Sequence, residues 1–310
     1  MLTHDEIIWG YRYVLGRDPR PAEVSFLTAQ TIVPAELRTM LLGSEEFAAR
    51  EKVIGYTSKW VITEVFEGRV QMWIDLADKY VSYGCLIDNY EPLESAAFRR
   101  LLQPGFHVVD LGANVGWFSF LATLCAGPAG RVTAIEPRTI TADYLRRSVQ
   151  RNRLEDRITV LQHAIGDHSG TVSLVWYPAS RNPGSARLGE PGEGAEAQET
   201  DLRRLDEVLG ESRVDCIKMD IEGAEGVALI GAATVLRSSR PFILCEINPS
   251  ALWTVSAMSV EEFLGLVRAQ QYVPFSIEDN SGLVRLEGPP ELGGREVINV
   301  VLAHEERLPR

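Results

Sequence analysis

Apolar and polar positions change rhythm twice along this chain. Over the first fifty residues the apolar positions recur at helical spacing. Ile7, Ile8, Tyr11, Val14 and Leu15 share one face of a helix that a Thr3/Glu6 capping box opens. Gly16 to Pro21 breaks that helix. Pro21 and Pro34 suit the first turns of two more, and Ser44-Glu45-Glu46-Phe47 reads as a cap with the start of another. From about Trp60 to Asn89 alternation takes over, as at Val70, Met72, Ile74 and Leu76. Short strands are expected there, leading through Tyr90-Glu91-Pro92 into a helix that reaches Leu102.

From Phe106 onward, short apolar runs alternate with amphipathic stretches. Strands are expected over 106–111, 131–135, 158–165, 214–219 and 242–247, with an added strand over 171–177. Helices are expected over 117–125, 142–152, 224–237 and 260–270. That alternation predicts an α/β fold with a doubly wound, mainly parallel sheet. Tyr272 to Ile277 and Val297 to Ala303 have no helix between them, so they are expected as an antiparallel pair closing the sheet. The organisation is then a helical module over 1–55 and an α/β domain over 56–310, with 56–105 as lead-in strands and helix. Residues 178–198 are rich in Gly, Pro and Glu and cannot bury a core; a lid over the carboxyl edge of the sheet is favoured over a plain flexible loop.

Composition narrows the partners. A net charge of -12 opposes binding to a phosphate backbone, and no nucleic-acid partner is expected. Cys85, Cys125, Cys216 and Cys245 show no CxxC spacing, which argues for reduced thiols and against a zinc site. The first residues lack the pattern of a signal peptide, and no apolar stretch is long enough to span a bilayer. The expected location is cytoplasmic.

The chemistry concentrates in two segments. The first is Val108-Val109-Asp110-Leu111-Gly112-Ala113-Asn114-Val115-Gly116, a buried strand that runs into a glycine turn and then a helix. Such a turn lets a backbone approach a nucleotide cofactor at the carboxyl edge of a parallel sheet. Asp110 decides which cofactor. A dinucleotide site keeps that strand end apolar and binds pyrophosphate at the helix start. S-adenosylmethionine (SAM) offers an ammonium and a sulfonium, and both favour a carboxylate. Gly112, Ala113, Asn114 and Gly116 complete the turn. Glu136 ends the next strand, where it can accept hydrogen bonds from a ribose diol. His163 and Ala164 follow the third strand, at the position expected for adenine.

The second segment is Asp215-Cys216-Ile217-Lys218-Met219-Asp220-Ile221-Glu222-Gly223-Ala224-Glu225. Strand alternation puts Cys216, Lys218 and Asp220 on one face. Lys218 and Asp220 are expected either to neutralise each other or to orient and deprotonate an acceptor hydroxyl. Glu222 joins them as a candidate, although carboxylates at a helix start are favoured by the helix dipole in any case.

These segments occur in a fixed order with Ile135-Glu136-Pro137, Ala164-Ile165-Gly166-Asp167, Leu205-Asp206 and Glu246. The ordered set resembles the FkbM-type SAM-dependent methyltransferases over roughly Tyr90 to His304. The resemblance implies a Rossmann-like methyltransferase sheet, SAM as cofactor and methyl transfer to a hydroxyl, commonly on sugars of polysaccharides, glycolipids or glycosylated natural products. Tyr13 to Pro19 with Leu41 to Phe47 resembles a small bacterial helical module often joined to enzymes acting on glycans. Homo-oligomerisation through these helices is an expectation.

An acceptor hydroxyl must lose its proton to a base or be acidified by a metal. Asp220, Glu246 and Asn248 stand at adjacent strand ends and would offer oxygen ligands suited to Mg²⁺; the metal-free route is preferred, because Lys218 brings a positive charge to the same place. Two competing functions remain: an NAD-dependent oxidoreductase, opposed by Asp110 and the missing third glycine of GxGxxG, and a catalytically silent SAM-binding scaffold.

Overall fold

Helix formation at the amino end follows its caps. In the computed structural model, Thr3 and Glu6 cap each other reciprocally, with Glu6 N donating to Thr3 Oγ1 at 3.2 Å and Thr3 N donating to Glu6 Oε2 at 2.7 Å. The model describes residues 2–15, 17–47, 60–180, 182–278, 282–289 and 297–308. The chain divides into two compact units, Met1–Trp60 and Val61–Arg310.

In the first unit, α1 (His4–Leu15), α2 (Pro21–Thr28) and α3 (Pro34–Leu42) enclose a small core of Leu2, Ile7, Tyr11, Leu15, Leu27, Leu37 and Leu41. Pro21 and Pro34 each open a helix, where a missing N–H costs nothing. Ser44 caps the next turn, its Oγ accepting from Phe47 N at 3.1 Å. Residues 48–59 lie outside the described residues, so the expected boundary near 55 does too.

The second unit opens with β1 (Trp60–Val65) and β2 (Val70–Asp75), a two-stranded sheet in which Val70, Met72 and Ile74 are buried as their alternation requires. Alternation ends sooner than expected, because α4 (Val81–Leu86) is helical. α5 (Pro92–Leu101) follows.

The central sheet then forms from β3 (His107–Leu111), α6 (Trp117–Ala126), β4 (Arg131–Ile135), α7 (Thr139–Arg151) and β5 (Ile158–Leu161). The run expected as one third strand breaks at Gln162. Its end becomes β6 (Ala164–Ile165), which pairs in a separate four-stranded sheet with β7 (Gly170–Trp176), β8 (Arg187–Leu188) and β9 (Glu196–Arg203). After α8 (Leu205–Leu209) the main sheet resumes with β10 (Cys216–Met219). The helix expected over 224–237 is two, α9 (Glu225–Gly231) and α10 (Ala233–Ser239), meeting at Ala232. β11 (Phe242–Ile247), α11 (Pro249–Ser256), α12 (Val260–Ala269), β12 (Tyr272–Ile277), β13 (Leu283–Arg285) and β14 (Ile298–His304) complete the unit.

Strand order across the sheet is β13-β12-β14-β11-β10-β3-β4-β5. β5, β4, β3, β10 and β11 are parallel, while β14 runs antiparallel between β11 and β12. This is a doubly wound sheet with an antiparallel closing pair, and its winding reverses between β3 and β10. A crevice opens at the carboxyl ends of strands at such a reversal. Alternation sends Val109, Leu111, Ile217, Met219, Ile243 and Cys245 into the main core against α9, α10 and α12. Asp110, Lys218 and Glu246 therefore emerge on the opposite face.

Candidate active site

A cavity of about 520 Å³ lies at that reversal, lined by both chemistry-bearing segments, and its size falls within the range of small-molecule sites. Two loops meet there at backbone distance. Gly112 has φ +76°, and a β-carbon on it would lie 1.8 Å from the Asp220 carbonyl oxygen, so only glycine fits. Gly112 N and Ala113 N both donate to Ile135 O, and Asp220 N donates to Leu111 O. The glycine turn is thus tied to the strands on either side.

Glu136 is 7% exposed and accepts from Asn114 N and from Arg138 N, each at 2.9 Å. It holds the turn while lining the cavity. A carboxylate has about four acceptor positions, which leaves capacity for a diol. Burial pushes its pKa up to about 7, against the two backbone donors that favour the charge. Asp110 is 2% exposed and does not cap the following helix; its Oδ2 accepts from Ser119 Oγ inside α6 at 2.6 Å. Burial raises it to about 6.

Asn114 lines the cavity with φ +49°, and Ala113 and Ala164 line it too. Gly116 does not. Its place is structural, since φ is +99° and a β-carbon there would stand 2.4 Å from Leu145 Cδ1. His163 also falls outside the cavity lining, with a buried Nδ1 that has no hydrogen-bond partner. His163 lies in the break between β5 and β6, next to Ala164, which does line the cavity.

Register assembles the second cluster. Lys218 on β10 pairs with Asp110 on β3 and with Leu244 on β11, so Asp220, one step beyond the end of β10, falls beside Glu246 near the end of β11. Lys218 is 1% exposed; its Nζ lies 3.2 Å from Asp220 Oδ2 and 4.9 Å from the centre of the Phe118 ring. Burial opposes its charge, but Asp220, Glu91, Glu246 and Asp110 outweigh burial and hold its pKa above the ordinary lysine value. Lys218 is a fixed cation and cannot serve as a base. Glu222 lines the cavity at φ +53°, and burial followed by Asp220 and Glu225 raises it to about 8. Glu225 sits apart: its Oε1 accepts from Ile221 N at 3.0 Å and shapes the turn that carries Glu222. Repulsion from Asp220, then burial, drives Glu246 up to about 10.

Asp220, Glu246 and Asn248, the residues expected as a Mg²⁺ set, all line the cavity. Asn248 uses its Oδ1 to cap α11, accepting from Ala251 N at 3.1 Å. The acidic group that does converge is Glu91, Asp220 and Glu246, with oxygens within 4.8 Å of one another. The Lys218 ammonium is already paired with Asp220, which neutralises part of the negative charge that would draw a divalent ion.

Sequence reasoning missed Glu91 and Tyr90, both of which line the cavity. Glu91 precedes Pro92 and reads as a helix start; its place beside Asp220 depends on how α5 packs, which no local pattern encodes. The 178–198 segment carries two short 3₁₀ turns and β8, and Asn182, Gly184, Ser185, Ala186, Arg187 and Leu188 reach the cavity.

With this geometry in hand, comparison with known proteins is informative. Residues 110–274, more than half of the chain, match the methyltransferase FkbM domain. The chain belongs to the FkbM methyltransferase family. That membership displaces the NAD-dependent oxidoreductase reading. Similar proteins include methyltransferase sdnD of Sordaria araneosa, 29% identical over 154 residues that cover 40% of this chain and 59% of that one. The 31-O-demethyl-FK506 methyltransferase FkbM of Streptomyces tacrolimicus is 29% identical over 160 residues, 42% of this chain and 60% of that one. The chain thus spans about 60% of the length of these relatives. A solved FkbM methyltransferase from Methylobacillus flagellatus aligns over 96% of this chain and 58% of its own, with 16% identity and a TM-score of 0.43. Among the described residues no helix is long and apolar enough to cross a membrane.

Proposed function

We propose that this FkbM-family chain is a SAM-dependent O-methyltransferase that acts on a sugar hydroxyl of a polysaccharide, glycolipid or glycosylated natural product. The observation that carries the reading is one cavity lined both by Asp110, the Gly112 turn and Glu136, which we take as its cofactor end, and by Lys218, Asp220 and Glu222, which we take as its acceptor end. The first end suits a nucleoside bearing positive charge: Glu136 faces the ribose diol and Asp110 the amino-acid end, while Ala164 borders the adenine. A relative whose name specifies a 31-O-demethyl substrate supports oxygen as the methyl acceptor.

Methyl transfer is an in-line displacement, and holding the acceptor oxygen in line with the methyl and sulfur supplies much of the acceleration. Asp220, fixed by Lys218, accepts a hydrogen bond from the acceptor hydroxyl and sets its direction. Glu222 borders the same place and bonds a neighbouring hydroxyl of a sugar. Residues 178–198 cover the cavity as a lid. Asn182, Gly184 and Arg187 bring it over the two turns, and shielding from water strengthens each of these polar contacts.

Isotope-labelled SAM incubated with glycan extracts, with and without a chelator, tests this directly. Label is expected in a glycan fraction in both cases. Label found only in protein or amine products, or none at all, contradicts the reading.

A further inference from the structure

Four carboxylates border the acceptor end of the cavity, and three are committed. Asp220 is paired with Lys218. Glu246 is crowded by Asp220, which raises its pKa to about 10. Glu222 stands at the lid side, where Arg187 draws on its charge. Glu91 differs. Its Oε2 is buried without any hydrogen-bond partner, while the Tyr90 side chain hydrogen-bonds its carboxyl. Burying an acceptor unpaired is costly unless something arrives to use it.

The backbone is also set at a cost. Glu91 has φ +42° and ψ +65°, a left-handed conformation for a non-glycine residue directly before a proline. Pro92 opens α5, and the Tyr90 ring packs edge-on to Trp117 and Phe118 at 6.0 and 6.4 Å between centres. The neighbouring elements therefore hold the Glu91 carboxyl in one place. Tyr90, Glu94, Lys218, Asp220 and Glu246 are the titratable groups around it.

We propose that Glu91 takes the proton from the acceptor hydroxyl during methyl transfer, an inference that rests on the methyltransferase reading of this cavity. The acceptor oxygen forms its bond to the methyl carbon as the carbon–sulfur bond breaks, and sulfur keeps that electron pair, leaving S-adenosylhomocysteine. The hydroxyl proton passes to Glu91 Oε2, and the neutral carboxyl returns it to water once product leaves. Burial, only partly offset by Lys218, raises Glu91 to about 7, and a base works best with a pKa near the operating pH.

Sinefungin tests the placement without any acceptor, because it carries an amine where SAM carries the reacting methyl. Binding of sinefungin and of S-adenosylhomocysteine is measured by calorimetry on the wild type, Glu91→Gln and Glu91→Asp. The expected result is that Glu91→Gln binds S-adenosylhomocysteine as the wild type does but loses about tenfold of its preference for sinefungin, with partial recovery in Glu91→Asp. An unchanged sinefungin preference in Glu91→Gln overturns the proposal. Equal weakening of both ligands also overturns it, since that is what a merely structural residue gives. A wild type that binds neither ligand overturns the underlying methyltransferase reading instead. With an acceptor found by labelling, Glu91→Gln is expected to lower kcat by about 10²- to 10⁴-fold at unchanged KM for SAM.

Discussion

The carbonyl oxygen of Asp220 occupies the space that a β-carbon on Gly112 would need, 1.8 Å away. This contact joins the turn assigned to the cofactor to the turn assigned to the acceptor. Gly112→Ala adds that clash to a positive φ and must push the two loops apart. Unfolding in urea is expected to show a loss of more than about 1 kcal/mol, read as a lower midpoint at constant slope. SAM affinity should fall with it.

Among the described residues, Lys218 is the cation that the register places among Asp110, Asp220 and Glu246. Replacing it by Met keeps the volume and leaves the buried carboxylates uncompensated. A loss of about 3–5 kcal/mol is expected from breaking such a pair by one partner. The loss should be smaller at pH 6 than at pH 8, because the carboxyls can then take up protons. Denaturation of Lys218→Met at both pH values checks this.

The wild type without ligand should grow less stable as pH rises from about 5 to 9. Glu136 and Glu91 have folded values of about 7 and Glu222 about 8, all above the ordinary 4.5. Between the unfolded and folded values the native state binds protons that the unfolded chain does not, so stability is largest below the unfolded value and is lost as pH climbs through the folded ones. Thermal melts across this range are expected to show a falling midpoint. A rising midpoint would mean that these groups are ionised and well solvated in the native state.

The strand-and-helix alternation from Phe106 was legible because the central parallel strands β3, β10 and β11 are buried on both faces and read as short apolar runs. The glycine turn was legible for a local reason: positive φ and close approach demand glycine at 112. Other features depend on packing between distant segments. Nothing near His163 announces the break that turns Ala164 and Ile165 into a different sheet. Nothing near Glu91 shows that α5 delivers it to Asp220. The 178–198 segment reads by composition as unable to bury a core, and nothing in it announces that Arg187 and Leu188 pair with Val175 and Leu174 of β7.

Asp220→Ala separates an enzyme from a silent scaffold. In the proposed assignment the Asp220 carboxylate serves the acceptor, so SAM affinity should be kept. Methyl transfer to the labelled glycan should drop by about 10²- to 10⁴-fold. Wild-type protein that binds SAM but transfers no methyl to any glycan would favour the scaffold.

Calorimetric titration of SAM into wild type and Glu136→Ala, beside NADH as a control, bears most directly on the cavity's assignment. Saturable one-to-one binding of SAM by the wild type, severe weakening in Glu136→Ala and no heat from NADH are the results expected. NADH binding in place of SAM, or SAM binding indifferent to Glu136, would contradict it.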